Sequence, residues 1–176
     1  MTRAPDPPRP SPVRILVAGI GNVFLGDDGF GVEVVRRLAA RELPEGVRVM
    51  DLGVRGFDLT YALLDGYDAA ILVDATLRSG PPGTLYVIDP DRAGSPASEA
   101  IDTHAMTPAR ALSLVRMMGG EAPLLRLVGC EPASLGDEDA PGIGLSPPVV
   151  AAIEPAVRLV EELVARIQRG EESDRA

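Results

Sequence analysis

Two short runs constrain this chain more than anything else in it. Residues 13–18 (VRILVA) and 69–73 (AAILV) are apolar almost throughout, and they stop at once in Gly19 and Asp74. A strand with one wet face alternates apolar and polar side chains. Short runs without that alternation read as strands covered on both faces, which is how a mostly parallel sheet is built. Between them, residues 31–42 set Val32, Val35, Leu38 and Ala39 at helical spacing, with Arg36, Arg37 and Arg41 on the wet side. Pro44 and Gly46 stop that helix. Residues 47–52 (VRVMDL) predict a second strand and residues 57–64 a short amphipathic helix.

The second half repeats the alternation. Pro81-Pro82-Gly83 turns the chain into a strand at 84–88, and residues 89–103 follow without periodicity, as in a functional or mobile loop. Residues 108–118 read as a helix with Thr107 as N-cap and Pro108 at its first position. A strand at 124–128 and a loop at 130–145 lead to Ser146, which is expected to cap a helix through 167 with Pro147 and Pro148 in its first turn. The expected fold is therefore α/β: a three-layer sandwich, with a mostly parallel sheet of about five strands and helices on both faces. One domain is expected at 13–169. Residues 1–12, with five prolines and no apolar core, read as a disordered extension rather than a signal peptide, and residues 170–176 as a flexible tail.

Composition removes several function classes. The formal net charge of −9 disfavours nucleic acid or an anionic membrane as partner, since both need a positive face. No window approaches the roughly 18 apolar residues of a membrane span. All 17 basic residues are arginine, so Schiff bases, Ser–Lys dyads and P-loop lysines are excluded. One cysteine and one histidine rule out zinc sites built from several of them. A lone Cys130 suits a reducing cytoplasm. Any imidazole chemistry must run through His104.

In open α/β sheets, ligands gather at the carboxyl ends of the strands. That directs attention to residues 19–31, 51–56 and 74–79 and to the loop around His104. The first of these begins Gly19-Ile20-Gly21, which invites a dinucleotide-binding reading. Phe24 stands where the third glycine of that motif belongs, the helix starts late, and Asp27 and Asp28 would repel a pyrophosphate, so nucleotide binding is rejected. Taken singly, the carboxylates have ordinary roles. One of Asp27 and Asp28 caps the helix while the other is solvated, and Asp74 ends its strand in an Asx-turn. Taken together, two strand ends each offer a carboxylate and a long loop offers the only imidazole. Such an O,O,N set with open positions suits Ni²⁺, Mn²⁺, Fe²⁺ or Zn²⁺, held weakly or shared with a partner that brings further ligands, and is compatible with metal-assisted hydrolysis. A Cys130–His104 dyad is the rival enzyme arrangement. A Ser–His–Asp set using Ser134 or Ser79 lacks the G-x-S-x-G elbow.

Gly19-Ile20-Gly21-Asn22, Gly26-Asp27-Asp28-Gly29 with Gly31, Asp51 with Gly53, Val73-Asp74-Ala75, His104, Leu127-Val128-Gly129 with Pro132, and Gly144-Leu145-Ser146-Pro147 run in series along nearly the whole chain. This series resembles the hydrogenase maturation endopeptidases. The resemblance implies a protease that removes a C-terminal extension from a [NiFe] hydrogenase large-subunit precursor after nickel insertion. It implies that Asp28, Asp74 and His104 are the metal-contacting and catalytic residues, and that the segment of Asp51 with Gly53 or Gly56 touches substrate. Nickel would arrive with the substrate, so no tightly bound cofactor of the protein's own is expected, and the protein is expected to be a cytoplasmic monomer. The alternative is a non-enzymatic nickel-binding chaperone or metal-sensing accessory protein using the same three ligands.

Overall fold

The computed structural model describes residues 11–54, 56–90, 108–136 and 142–172; side chains at 56, 57, 108 and 109 are not described. His104 and Thr107 lie outside the described residues, as do residues 1–10, 91–103 and 173–176. Five strands form one sheet: β1 (Ile15–Ile20), β2 (Val47–Gly53), β3 (Ala69–Ala75), β4 (Leu85–Ile88) and β5 (Leu124–Cys130). Their spatial order is β2-β1-β3-β5-β4. All neighbouring pairs are parallel except β4 with β5. Four helices pack on it: α1 (Phe30–Ala39), α2 (Gly56–Leu64), α3 (Pro108–Met117) and α4 (Pro147–Gln168).

The unbroken apolar runs are explained by two cores, one on each face of the sheet. Ile15, Val17, Ile71 and Val73 point toward α1 and α4, where they meet Phe30, Val35, Leu38, Val157 and Val160. Leu16, Ala18, Ala70 and Leu72 point the other way, toward Leu59 and Leu63 of α2 and Leu112 and Val115 of α3. Successive strand residues face opposite sides, so a central strand buried on both sides has no polar position to spare. The expected α/β/α sandwich of five mostly parallel strands is the observed fold.

The strand order places the site. From β1 the chain passes through α1 to β2 on one side; after α2 it crosses to β3 on the other side of β1. The carboxyl ends of β1 and β3 therefore form the switch point where the connections diverge. Glycine lets α1 start inside this crevice. A Cβ at Gly31 would collide with the carbonyl oxygens of Val73 and Ile20. The close helix–strand approach that a dinucleotide-binding motif assigns to its third glycine is supplied here by Gly31. Strands β1, β3 and β5 each run two residues beyond their expected ends, carrying Gly19, Asp74 and Gly129 into the ladders.

Candidate functional site

The link from β1 to α1 is a loop closed by one 3₁₀ turn, Gly26–Gly29, which holds both Asp27 and Asp28. Gly21, at φ 128°, lies so close beneath this turn that a Cβ would overlap the carbonyl oxygen of Asp28. The turn packs against β3, whose last two residues are Asp74 and Ala75. Two strand ends thus deliver carboxylates to one crevice.

Asp27 does not face it. Its side chain is 2% exposed. Oδ1 accepts the backbone N–H of Ser146 at 2.6 Å, and Oδ2 accepts the Ser146 hydroxyl at 2.8 Å and the N–H groups of Ala133 and Ser134 at 2.8 and 3.3 Å. Burial alone would raise its pKa, but hydrogen bonds from Ser146, Ala133 and Ser134 outweigh it and hold the carboxyl below its usual value. Asp27 neither caps α1 nor sits in solvent; it clamps the first loop to the loop before α4. Ser146 occupies the N-cap position of α4 with extended backbone, but no side-chain cap forms, and its hydroxyl is committed to Asp27.

Asp28 is the opposite case. The one hydrogen bond to its carboxylate among the described residues is from the N–H of Asn22, at 2.6 Å to Oδ2. Burial raises its pKa more than that bond lowers it. Asp74 goes further. Burial and then the charge of Asp28 push it up to about 7, against only the backbone N–H of Ala75. No arginine forms an ion pair with either carboxylate among the described residues. Two half-buried carboxyl groups, the charge of Asp28 raising the pKa of Asp74, with no arginine paired to either among the described residues, make a centre that favours a positive guest. The described residues hold no cluster of three metal-ligating side chains; the third group of the expected set, His104, lies outside them.

The segment expected to meet substrate borders this crevice on the β2 side. Gly53 closes β2 at φ 52° and accepts the N–H of Gly21 at 3.0 Å, Asp51 is exposed and pairs with Arg36 at 3.3 Å, and Gly56 opens α2. Cys130 ends β5 inside the core at 1% exposure, and burial followed by the charges of Asp27 and Glu131 pushes its thiol up to about 11. A thiol so held is not a thiolate at neutral pH, and the cysteine dyad loses its nucleophile.

One buried carboxylate that braces the site is not among those the sequence singles out. Glu131, 3% exposed, follows β5 and accepts the N–H groups of Arg78 at 2.9 Å and Ser79 at 3.1 Å and the Tyr86 hydroxyl at 2.9 Å. It fixes the loop that leaves Asp74, including Ser79 at φ 62°. The same rule that singles out Asp74, an acid at a strand's carboxyl end, also points to Glu131.

The family model for hydrogenase maturation proteases matches residues 32–163. The chain is similar to the hydrogenase 2 maturation protease of Escherichia coli, at 36% identity over 150 residues, 84% of this chain and 88% of that protein. It is similar to the hydrogenase expression/formation protein HupD of Rhizobium leguminosarum, at 36% identity over 159 residues, 87% of this chain and 76% of that one. The solved structure of the hydrogenase maturating endopeptidase HybD from E. coli superposes with a TM-score of 0.70 at 35% identity, covering 89% of this chain and 94% of the other.

Proposed function

The chain is a member of the hydrogenase maturation protease family, and from that premise we propose that it removes the C-terminal extension of a nickel-loaded [NiFe] hydrogenase large-subunit precursor, with the substrate's own nickel as the recognition cue. The observation that supports this most is the Asp28–Asp74 pair, placed at the switch point with no compensating cation among the described residues. A cation carried by the substrate relieves the repulsion between them, and His104 supplies a nitrogen ligand. Few ligands test for the metal without retaining it. With the pair neutralised, the scissile peptide lies beside Asp74. Held ionised beside that cation, Asp74 takes the proton of the attacking water.

The test is the intact mass of the precursor, with and without nickel, after incubation with the protein. Loss of a C-terminal peptide only from the nickel-loaded form is expected. Precursors from the same genome that stay whole in both forms overturn the proposal, and a stoichiometric metal retained by the isolated protein would then favour a metal-binding accessory role. His104→Ala is expected to abolish cleavage; a fully active variant removes His104 from the site.

A further inference from the structure

Among the described residues, each connection leaving the carboxyl end of a parallel strand carries one large, exposed apolar side chain. Phe24 follows β1 at 62% exposure, Val54 follows β2 at 71%, Leu77 follows β3 at 68%, and Ile143 lies between β5 and α4 at 87%. Single exposed apolar residues are ordinary. Here one stands in every connection at the carboxyl ends of the parallel strands, the end that also carries Asp28 and Asp74, and exposed apolar surface gathered at one end marks interaction. Three of these loops are also braced. The Phe24 N–H bonds to Asn22 Oδ1 at 3.0 Å, Leu77 lies between Thr76, whose N–H reaches the Cys130 carbonyl at 2.8 Å, and Arg78, bound to Glu131, and Gly142 beside Ile143 accepts the Gly26 N–H at 2.7 Å. A surface whose backbone is already fixed loses little conformational entropy on docking.

Beside this rim, between the first loop, α1 and the start of α4, runs a groove of about 400 Å³ lined by Val23, Phe24, Ile143, Leu145, Val150 and Ile153. Arg36 and Arg37 of α1 form part of its wall. Arg36 is committed to Glu33 at 3.0 Å and Asp51 at 3.3 Å, whereas Arg37 forms no ion pair among the described residues. In a chain of net charge −9, the groove therefore presents apolar surface next to the cation of Arg37, which lies near enough to Glu154 of α4 to help lower its pKa.

We propose that this end of the molecule is a preformed docking surface for the folded hydrogenase precursor, which places an apolar side chain with a neighbouring carboxylate in the groove while its C-terminal segment reaches Asp28 and Asp74. The proposal rests on the peptidase function, which supplies the partner. Four separate loops around the carboxylate pair match a folded surface better than one extended peptide. The groove opens beside the 3₁₀ turn that carries Asp28, so docking and alignment act through one rigid unit. A buried apolar anchor beside a paired charge is the usual core of such an interface.

The test combines affinity and cleavage on immobilised, nickel-loaded precursor. Ile143→Asp and Val150→Asp are exposed changes, and an acid in the first turn of α4 is favourable to the helix. Both are expected to weaken Kd and raise KM at least about tenfold, with kcat within about twofold. Arg37→Glu is expected to act in the same direction, and Met117→Asp, exposed at the end of α3, to change nothing. Unaltered Kd and KM in both groove variants overturn the proposal, as does an equal loss in Met117→Asp. Wild-type protein that binds through the groove without cutting upholds the docking surface and removes the peptidase function. Wild-type protein that does not bind the precursor overturns the docking surface.

Discussion

Asp27 meets donors from Ala133, Ser134 and Ser146, more than a hundred residues away in sequence, while Asp28, the next residue, has a single donor from its own loop and another carboxylate for company. The first arrangement lowers a pKa and joins two loops; the second raises two pKa values and joins nothing. Where hydrogen bonds satisfy a buried acid, it serves the fold. Where they fail to, the fold bears a cost that a ligand can relieve.

The largest effect follows from the unsatisfied pair. Asp74→Asn is expected to reduce cleavage by about 100-fold or more, since it removes a proton acceptor and a charge together. Its effect on stability runs the other way. A carboxyl raised from 3.8 to about 7 on folding contributes no cost below its unfolded pKa, an increasing cost as pH climbs toward 7, and the full cost above that. The asparagine variant is therefore expected to have a higher Tm than wild type at pH 8, and the gap to close by pH 4. Thermal melts across that range check this, and an asparagine variant less stable at pH 8 would break the contrast.

Asp27→Ala should invert the pattern. It leaves several buried donors without an acceptor and is expected to cost roughly 2–4 kcal/mol in urea denaturation. The sign with pH is also reversed. Because its folded pKa is lowered, the contribution of Asp27 is fully present above the unfolded value near 3.8 and lost as pH falls through the folded one. An Asp27→Ala protein of unchanged stability but lost activity would move Asp27 into the reacting centre and erase the comparison.

This distinction was beyond the sequence. Adjacent aspartates between glycines look alike, and the partners of Asp27 are set by where α4 returns to the sheet. The fold was far more legible. Runs such as AAILV report burial on both faces directly, and α1 and α4 show their apolar stripes. The antiparallel direction of β4 was not legible, because four residues carry no signal of direction. Glycine usually punctuates, so Gly19 reads as a strand end; in the fold it stays in the ladder, at a place where α1 lies too near for any side chain. A topological rule points from the sequence to the crevice, but only the family resemblance, and no chemistry of the two residues, separates Asp28 from Asp27.

Cys130 sharpens the contrast from the apolar side. Its thiol is at 1% exposure among core residues, so Cys130→Ala is expected to cost roughly 1 kcal/mol in a small cavity and to leave kcat unchanged. A folded but inactive alanine variant would restore the thiol as a reacting group.

The smallest effect concerns Glu131, which belongs with Asp27. Burial opposes its charge, but donors from Tyr86, Arg78, Gly80 and Ser79 outweigh it, and its pKa is lowered. Tyr86→Phe removes one of these donors and leaves the backbone three, so a loss of about 1 kcal/mol is expected. Because Glu131 holds the loop that leaves Asp74 and touches nothing in the crevice, kcat is expected to fall less than about threefold, within what a slight misplacement costs. A Tyr86→Phe protein of wild-type stability but tenfold lower kcat would mean that Glu131 does more than hold the loop. Satisfied acids would then no longer belong to the fold alone.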